Sequence, residues 1–209
     1  MHISEGVLAG PVLVAGWAVA AAGIGIGLKK LDEKQLVTAS FLAAAFFVAS
    51  LIHVPLGPGN VHLVLNGLLA AILGWAAFPA IFVSLLLQAV LFQFGGLTIL
   101  GVNTATMAAG GLVCWLVARP WLARGGRART VAAFCMGFGA VGVAAVLTSA
   151  CLALTGEALI PTAMLLLAAH LPVMCIEGAV TVAVVQFLAR VQPDLLHLPA
   201  SPGAATGSA

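Results

Sequence analysis

From Gln35 to Ala118 the chain carries no Asp, Glu, Lys or Arg. Neutral polar residues and two histidines are all that interrupt an apolar run long enough for several membrane spans of about 20 residues each. Only 7% of the whole chain is charged and 63% is hydrophobic, against about 25% and roughly 45–50% in soluble domains. Segments such as LLAAILGWAAF lack the period-two alternation that a membrane barrel strand needs. The chain therefore reads as an all-α integral membrane protein. A net charge of +2 does not suggest nucleic acid, so lipid is the expected surrounding.

Reading apolar runs against their Gly, Pro and charged breakers predicts a bundle of about seven transmembrane helices. The segments lie roughly at 7–28, 36–53, 61–77, 79–95, 103–119, 130–154 and 161–190. Pro79 is read as separating the third from the fourth, and Gly95-Gly96 as ending the fourth. Residues 1–195 form the transmembrane domain in this reading, and 196–209, PASPGAATGSA included, a flexible tail that also holds His197. Cys114, Cys135, Cys151 and Cys175 sit among apolar neighbours without CxxC spacing and are expected to be buried, inert thiols.

Basic residues occur in three places: Lys29, Lys30 and Lys34; Arg119, Arg124, Arg127 and Arg129; and Arg190. The positive-inside rule puts all three in the cytoplasm. An odd number of crossings satisfies it, with the N-terminus outside and the C-terminus cytoplasmic. The chain is then a multi-pass protein of a prokaryotic cytoplasmic membrane. His2 and His62 are expected to share the outer face, beside the loop VPLGPGN.

The opening MHISEGVL lacks the basic flank of a secretory signal. It places an imidazole one peptide bond from the α-amine of Met1. The amine and the His2 amide nitrogen close a five-membered chelate ring, and the amide with the imidazole Nδ1 closes a six-membered one. A second imidazole would complete a plane of four nitrogens. That set suits Ni(II), Cu(II) or low-spin Co(II) and matches tetrahedral zinc poorly. Bulky His2 is expected to keep the initiator methionine in place, and the short lead into the first helix leaves the terminus little slack.

His62 heads HLVLNGLLAAILGW, and a histidine at membrane depth is a functional candidate by default. His53 is either a further ligand or an interfacial histidine at the end of the second segment. Asn103 either orients an imidazole or caps a helix, with Thr104 and Met107 nearby in LGVNTATM. Glu5 either anchors the N-terminal strand near His2 or caps the first helix. His170 and Glu177 are seven residues apart, on one helix face with Pro172 between them, and a structural hydrogen bond or a transport role fits Glu177 equally.

Four stretches in order resemble the CbiM/NikM family, the metal-capturing membrane subunits of energy-coupling-factor cobalt and nickel importers. MHISEG resembles the family's MHI-x-EG opening. The glycine-rich loop ending in a histidine and then NGLLAAILG resembles its second ligand segment. GGLTILGVNTATM resembles GGLT-x-LG-x-N-T, and HLPVMCIEGAVTVAVVQFLARVQPDLL resembles its last helix. The resemblance implies a metal site made by the Met1 amine, the His2 amide nitrogen and imidazole, and His62. It implies Co²⁺ or Ni²⁺ as transported ligand, with no resident cofactor and no preference between the two readable from the donors. Its partners would be a transmembrane coupling subunit, a pair of cytoplasmic ATPases and a small accessory membrane subunit. Where many members have Gly, Ser or Thr around the loop histidine, this chain reads GPGNVHLVLNG.

No GxxxxGK[ST] phosphate loop occurs, and no HExxH. A transporter subunit that is not an enzyme and has no ATPase motif of its own is therefore expected. The rival is a self-sufficient secondary transporter of metal or protons that works through His170 and Glu177; an intramembrane metalloenzyme would need a ligand motif that is lacking.

Overall fold

The computed structural model describes residues 3–51, 53–56 and 59–196. Among them run seven α-helices and one β-hairpin: α1 (Gly10–Lys30), α2 (Glu33–Leu51), β1 (His53–Leu56), β2 (Gly59–His62), α3 (Asn66–Leu73), α4 (Ala77–Phe92), α5 (Leu100–Leu122), α6 (Gly126–Thr155) and α7 (Ile160–Val191). Six stretches are long and apolar enough to cross a membrane, with Asn66–Phe92 counted as one. The chain is a multi-pass helical membrane protein. Large apolar side chains such as Val14, Phe41 and Leu154 stand exposed on its outer faces, where lipid replaces water as the solvent.

The Asn66–Phe92 stretch is not one straight rod. Gly74, at φ +54, ends α3, and the 3₁₀ turn Gly74–Ala76 reverses the chain into α4. Trp75 of that turn lies under the Lys30 ammonium, 5.6 Å from the ring centre, so the turn sits beside the end of α1. The far end of α4 reaches the opposite end of the bundle, where Phe92 packs 5.7 Å from Phe47. Pro79 does not mark the break. It is the third residue of α4, within the first turn, where a missing N–H leaves no intrahelical bond unmade.

The segment expected to be helical from residue 61 starts instead as a hairpin. His53, Val54, Pro55 and Leu56 pair antiparallel with His62, Val61, Asn60 and Gly59, and residues 63–65 continue without regular structure. Helix α3 begins only at Asn66, deep in the bundle. There the Asn66 amide donates to Met107 O at 2.9 Å and Ala140 O at 3.1 Å. Every residue of α3 is buried. Such close approach needs glycine: a methyl on Gly67 would come within 2.8 Å of Met136 O and 2.9 Å of the Gly137 Cα. Small residues at helix crossings are the usual way for membrane helices to gain van der Waals contact without a hydrophobic driving force.

All three groups of basic residues gather at one end. Lys30 covers Trp75, Lys34 shares a cleft with Asp194 and Leu195 just beyond α7, and Arg119 lines another with Leu196. Ile3 and the hairpin lie at the opposite end. Leu196 is buried in a 3₁₀ turn, and residues 197–209, with the expected tail and His197, fall outside the described residues. The cysteines differ from expectation. Cys135 and Cys175 are exposed and Cys114 and Cys151 only half-buried, because an apolar neighbourhood in a membrane helix faces lipid as readily as core.

Candidate metal centre

Met1 and His2 lie outside the described residues. The chain enters the structure at Ile3, whose side chain is fully buried. Asn103, near the start of α5, brackets its backbone. The Ile3 N–H donates to Asn103 Oδ1 at 3.2 Å, and Asn103 Nδ2 donates to Ile3 O at 3.2 Å. A side-chain amide imitates a strand edge here and satisfies both main-chain groups of the residue that follows His2. Among the described residues Asn103 neither caps a helix nor touches an imidazole; it holds backbone.

Glu5 fastens the same arm two residues on. Its N–H donates to Gly95 O at 2.9 Å. Its Oε1 accepts from the Thr98 N–H at 3.2 Å and from the Thr98 hydroxyl. Gly96, at φ +138, lies directly against the Glu5 carboxyl, leaving no room for a side chain. Glu5 does not cap α1, whose N-cap is Ala9 with no side-chain bond. Farther along, the Ala9 N–H donates to Thr155 Oγ1 at 3.3 Å. The arm from 3 to 9 is thus pegged to the α4–α5 connection, to α5 and to the end of α6.

The same connection reaches the hairpin. Phe94 packs 4.3 Å from the His53 ring and 6.2 Å from the His62 ring, between centres, while the next residue, Gly95, accepts from Glu5. Arm and hairpin therefore meet across residues 94–98. His62 ends β2, is 3% exposed and has Nδ1 2.6 Å from Leu63 O. A carbonyl oxygen only accepts, so Nδ1 carries the hydrogen, and in the neutral ring Nε2 is then the nitrogen without one. His53 lies opposite it in the ladder but is exposed, with Nδ1 2.9 Å from Leu51 O.

Beneath the hairpin the backbone takes a costly shape. Leu65 has φ +52, a left-handed conformation that costs a residue with a side chain roughly 1–2 kcal/mol. It precedes the N-terminus of α3, where N–H groups lack intrahelical partners. Glu177, fully buried on α7, supplies the acceptor: its Oε1 takes the Val64 N–H and, at 2.8 Å, the Leu65 N–H. Irregular backbone at membrane depth is tolerated only where protein satisfies it. His170 is also fully buried, with Nδ1 donating to Leu166 O at 2.7 Å. Thr104 is buried, and its hydroxyl has no hydrogen-bond partner among the described residues.

Three participants escaped the sequence reading. Phe94 and Thr98 join arm to hairpin, and Asn66 fastens α3 to α5 and α6. GGLT carries Thr98 and HLVLNGLL carries Asn66, whereas no motif singles out Phe94.

Fold and site together define a polytopic membrane protein whose N-terminal arm is laced into one end of the bundle next to a buried histidine. The family model described as the cobalt uptake substrate-specific transmembrane region, CbiM, matches residues 2–195. The chain belongs to this family and is a membrane component of cobalt and nickel uptake of the CbiM/NikM type. A protein of Haemophilus influenzae named for metal transport is 40% identical over 200 residues, covering 94% of this chain and 97% of its own length. The cobalt transport protein CbiM of Geobacter sulfurreducens is 33% identical over 214 residues, covering 94% of this chain and 61% of its own. A truncated transition metal transporter solved by crystallography superposes with a TM-score of 0.79 at 26% identity, over 91% of this chain and 99% of its own.

Proposed function

We propose that the chain captures Co²⁺ or Ni²⁺ at the end of the bundle where arm and hairpin meet. The donors are the Met1 amine, the His2 amide nitrogen and Nδ1, and His62 Nε2. The observation that carries this reading is the bracket of Asn103 on Ile3: the residue next to His2 is held by both main-chain groups at the end of the bundle that contains His62. The His62 ring contributes one nitrogen in the right tautomer, and a fused chelate from residues 1 and 2 supplies three more in a plane. Among the described residues no three His, Cys, Asp or Glu side chains group closely enough to hold a metal ion, so a site at His62 draws its remaining donors from elsewhere. His53, His170 and Glu177 are not assigned as ligands.

The metal-capturing end faces outward and the basic end faces the cytoplasm, following the positive-inside rule. The chain acts as the substrate-binding subunit of an ATP-driven energy-coupling-factor importer. A transmembrane coupling subunit and a pair of cytoplasmic ATPases supply the energy, with a small accessory membrane subunit beside them. Metal is the cargo, and the chain itself performs no chemistry on it.

Stoichiometric cobalt or nickel binding to the purified protein with native Met1 tests the reading. Acetylation of the Met1 amine removes the five-membered chelate and is expected to abolish stoichiometric binding. His62→Ala is expected to lower affinity on the order of 100-fold, at or beyond the upper range for loss of a supporting metal contact. Undiminished binding in both variants would place the site elsewhere.

A further inference from the structure

His62 directly precedes a non-helical stretch, residues 63–65, that ends at the left-handed Leu65. Its ring is oriented by Leu63 O, which accepts from Nδ1 at 2.6 Å. The two peptides that follow donate to a single atom, Oε1 of Glu177, which comes from 113 residues farther along the chain. A run of contacts thus leads from α7 to the imidazole. Glu177 grips the Val64 and Leu65 N–H groups, those peptides set the direction of Leu63 O, and Leu63 O sets the ring plane and the tautomer.

We infer that Glu177 is a positioning residue for the metal site: through the backbone of residues 63–65 it aims His62 Nε2 at the ion. The inference rests on the proposal that His62 is a ligand. It assigns Glu177 neither metal contact nor a carrier role. The carboxylate does for a backbone-held imidazole what a carboxylate bonded to the second ring nitrogen does in many metal sites, one link further removed. Its position suits the task. Glu177 is buried at mid-helix on α7, and the neighbouring Gly178 packs against Phe134 of α6 at distances that leave no space for a side chain. The acceptor is therefore mounted on a closely packed helix pair rather than on a loop.

Position and charge are separable. Glu177→Gln keeps an oxygen that accepts both N–H groups and removes any negative charge. Glu177→Leu removes the acceptor at similar volume. Each is made in the full chain with native Met1, alone and combined with His62→Ala, and checked by thermal melting in detergent. Ni²⁺ and Cu²⁺ are the probes, read by affinity and by the visible d–d band. Glu177→Gln is expected to bind within about 3-fold of the parent. Glu177→Leu is expected to lose about 10–100-fold, the range for supporting contacts. Its d–d band should move to the longer wavelength shown by His62→Ala, as one imidazole leaves the plane.

In the His62→Ala background the Leu substitution should then cost nothing further, because its effect passes through His62. A Leu penalty that persists in full without His62 overturns the inference, and so does a Gln variant that falls as far as Leu, which would make charge the agent. Failure of the ligand proposal looks different: His62→Ala alone then binds like the parent, and the inference falls with it.

Discussion

The arm at residues 3–9 and the 63–65 stretch both present proposed ligands to the same end of the bundle, yet they are held in opposite ways. The arm is pegged through several separate hydrogen bonds: Asn103 to Ile3, Gly95 and Thr98 to Glu5, Thr155 to Ala9. The Thr98–Glu5 contacts are exposed. The 63–65 stretch is held by one buried carboxylate oxygen. Distributed, partly wet contacts can be released one at a time, whereas a single buried acceptor with two donors goes as a unit.

The largest expected break is on the arm. Asn103→Leu removes both the acceptor for the Ile3 N–H and the donor to Ile3 O. It should lower metal affinity by about 10–100-fold with the fold retained, which affinity and thermal melting together check. Unlike Glu177→Leu, it should weaken the whole three-nitrogen chelate, so the remaining bound metal should not show the His62→Ala spectrum. A matching spectrum would erase the distinction between the two supports.

Acidification sharpens the same comparison from the ligand side. Amine, amide and imidazole must all lose their ionisable hydrogens to bind, so metal binding releases protons and affinity falls as pH falls. The slope of log affinity against pH should be steeper for the parent than for a chain whose Met1 amine is acetylated. Equal slopes would remove the terminal amine and the amide from the donor set. The smallest effect belongs to Thr98→Val, which deletes one exposed hydroxyl contact to Glu5. At about 0.5–1.5 kcal/mol for an ordinary hydrogen bond, it should weaken binding by no more than roughly 10-fold. A loss as large as that of Asn103→Leu would show the arm to be held at Glu5 rather than at Ile3.

Much of this was legible before any coordinates. The uncharged run from Gln35 to Ala118 leaves the chain no soluble option, because so few charges cannot clothe a water-facing surface. The three basic groups were readable as one end of the bundle, since charge at helix ends is a one-dimensional signal. His62, Asn103 and Glu5 stood out as polar residues at apolar boundaries. Their partners did not. Asn103 was expected to orient an imidazole or to cap a helix; it caps none and brackets Ile3, because which backbone it meets depends on a fold that brings residues 3 and 103 together.

The break within 61–77 was hidden for a related reason. Hydropathy sums over a window, and HLVLNGLL is as apolar in a hairpin, an irregular stretch and a short helix as in one continuous span. What halts the helix before Asn66 is the local chemistry of paired strands, and the unpaired peptides find an acceptor on α7. Sequence alone determined the solvent of this protein and the chelate its first residues can form, because these depend on composition and on bonds between neighbours. Tertiary structure alone decided that Asn103 grips Ile3 and Glu177 grips Val64 and Leu65, because a hydrogen bond spanning a hundred residues exists only once packing has set both its ends within 3 Å or so.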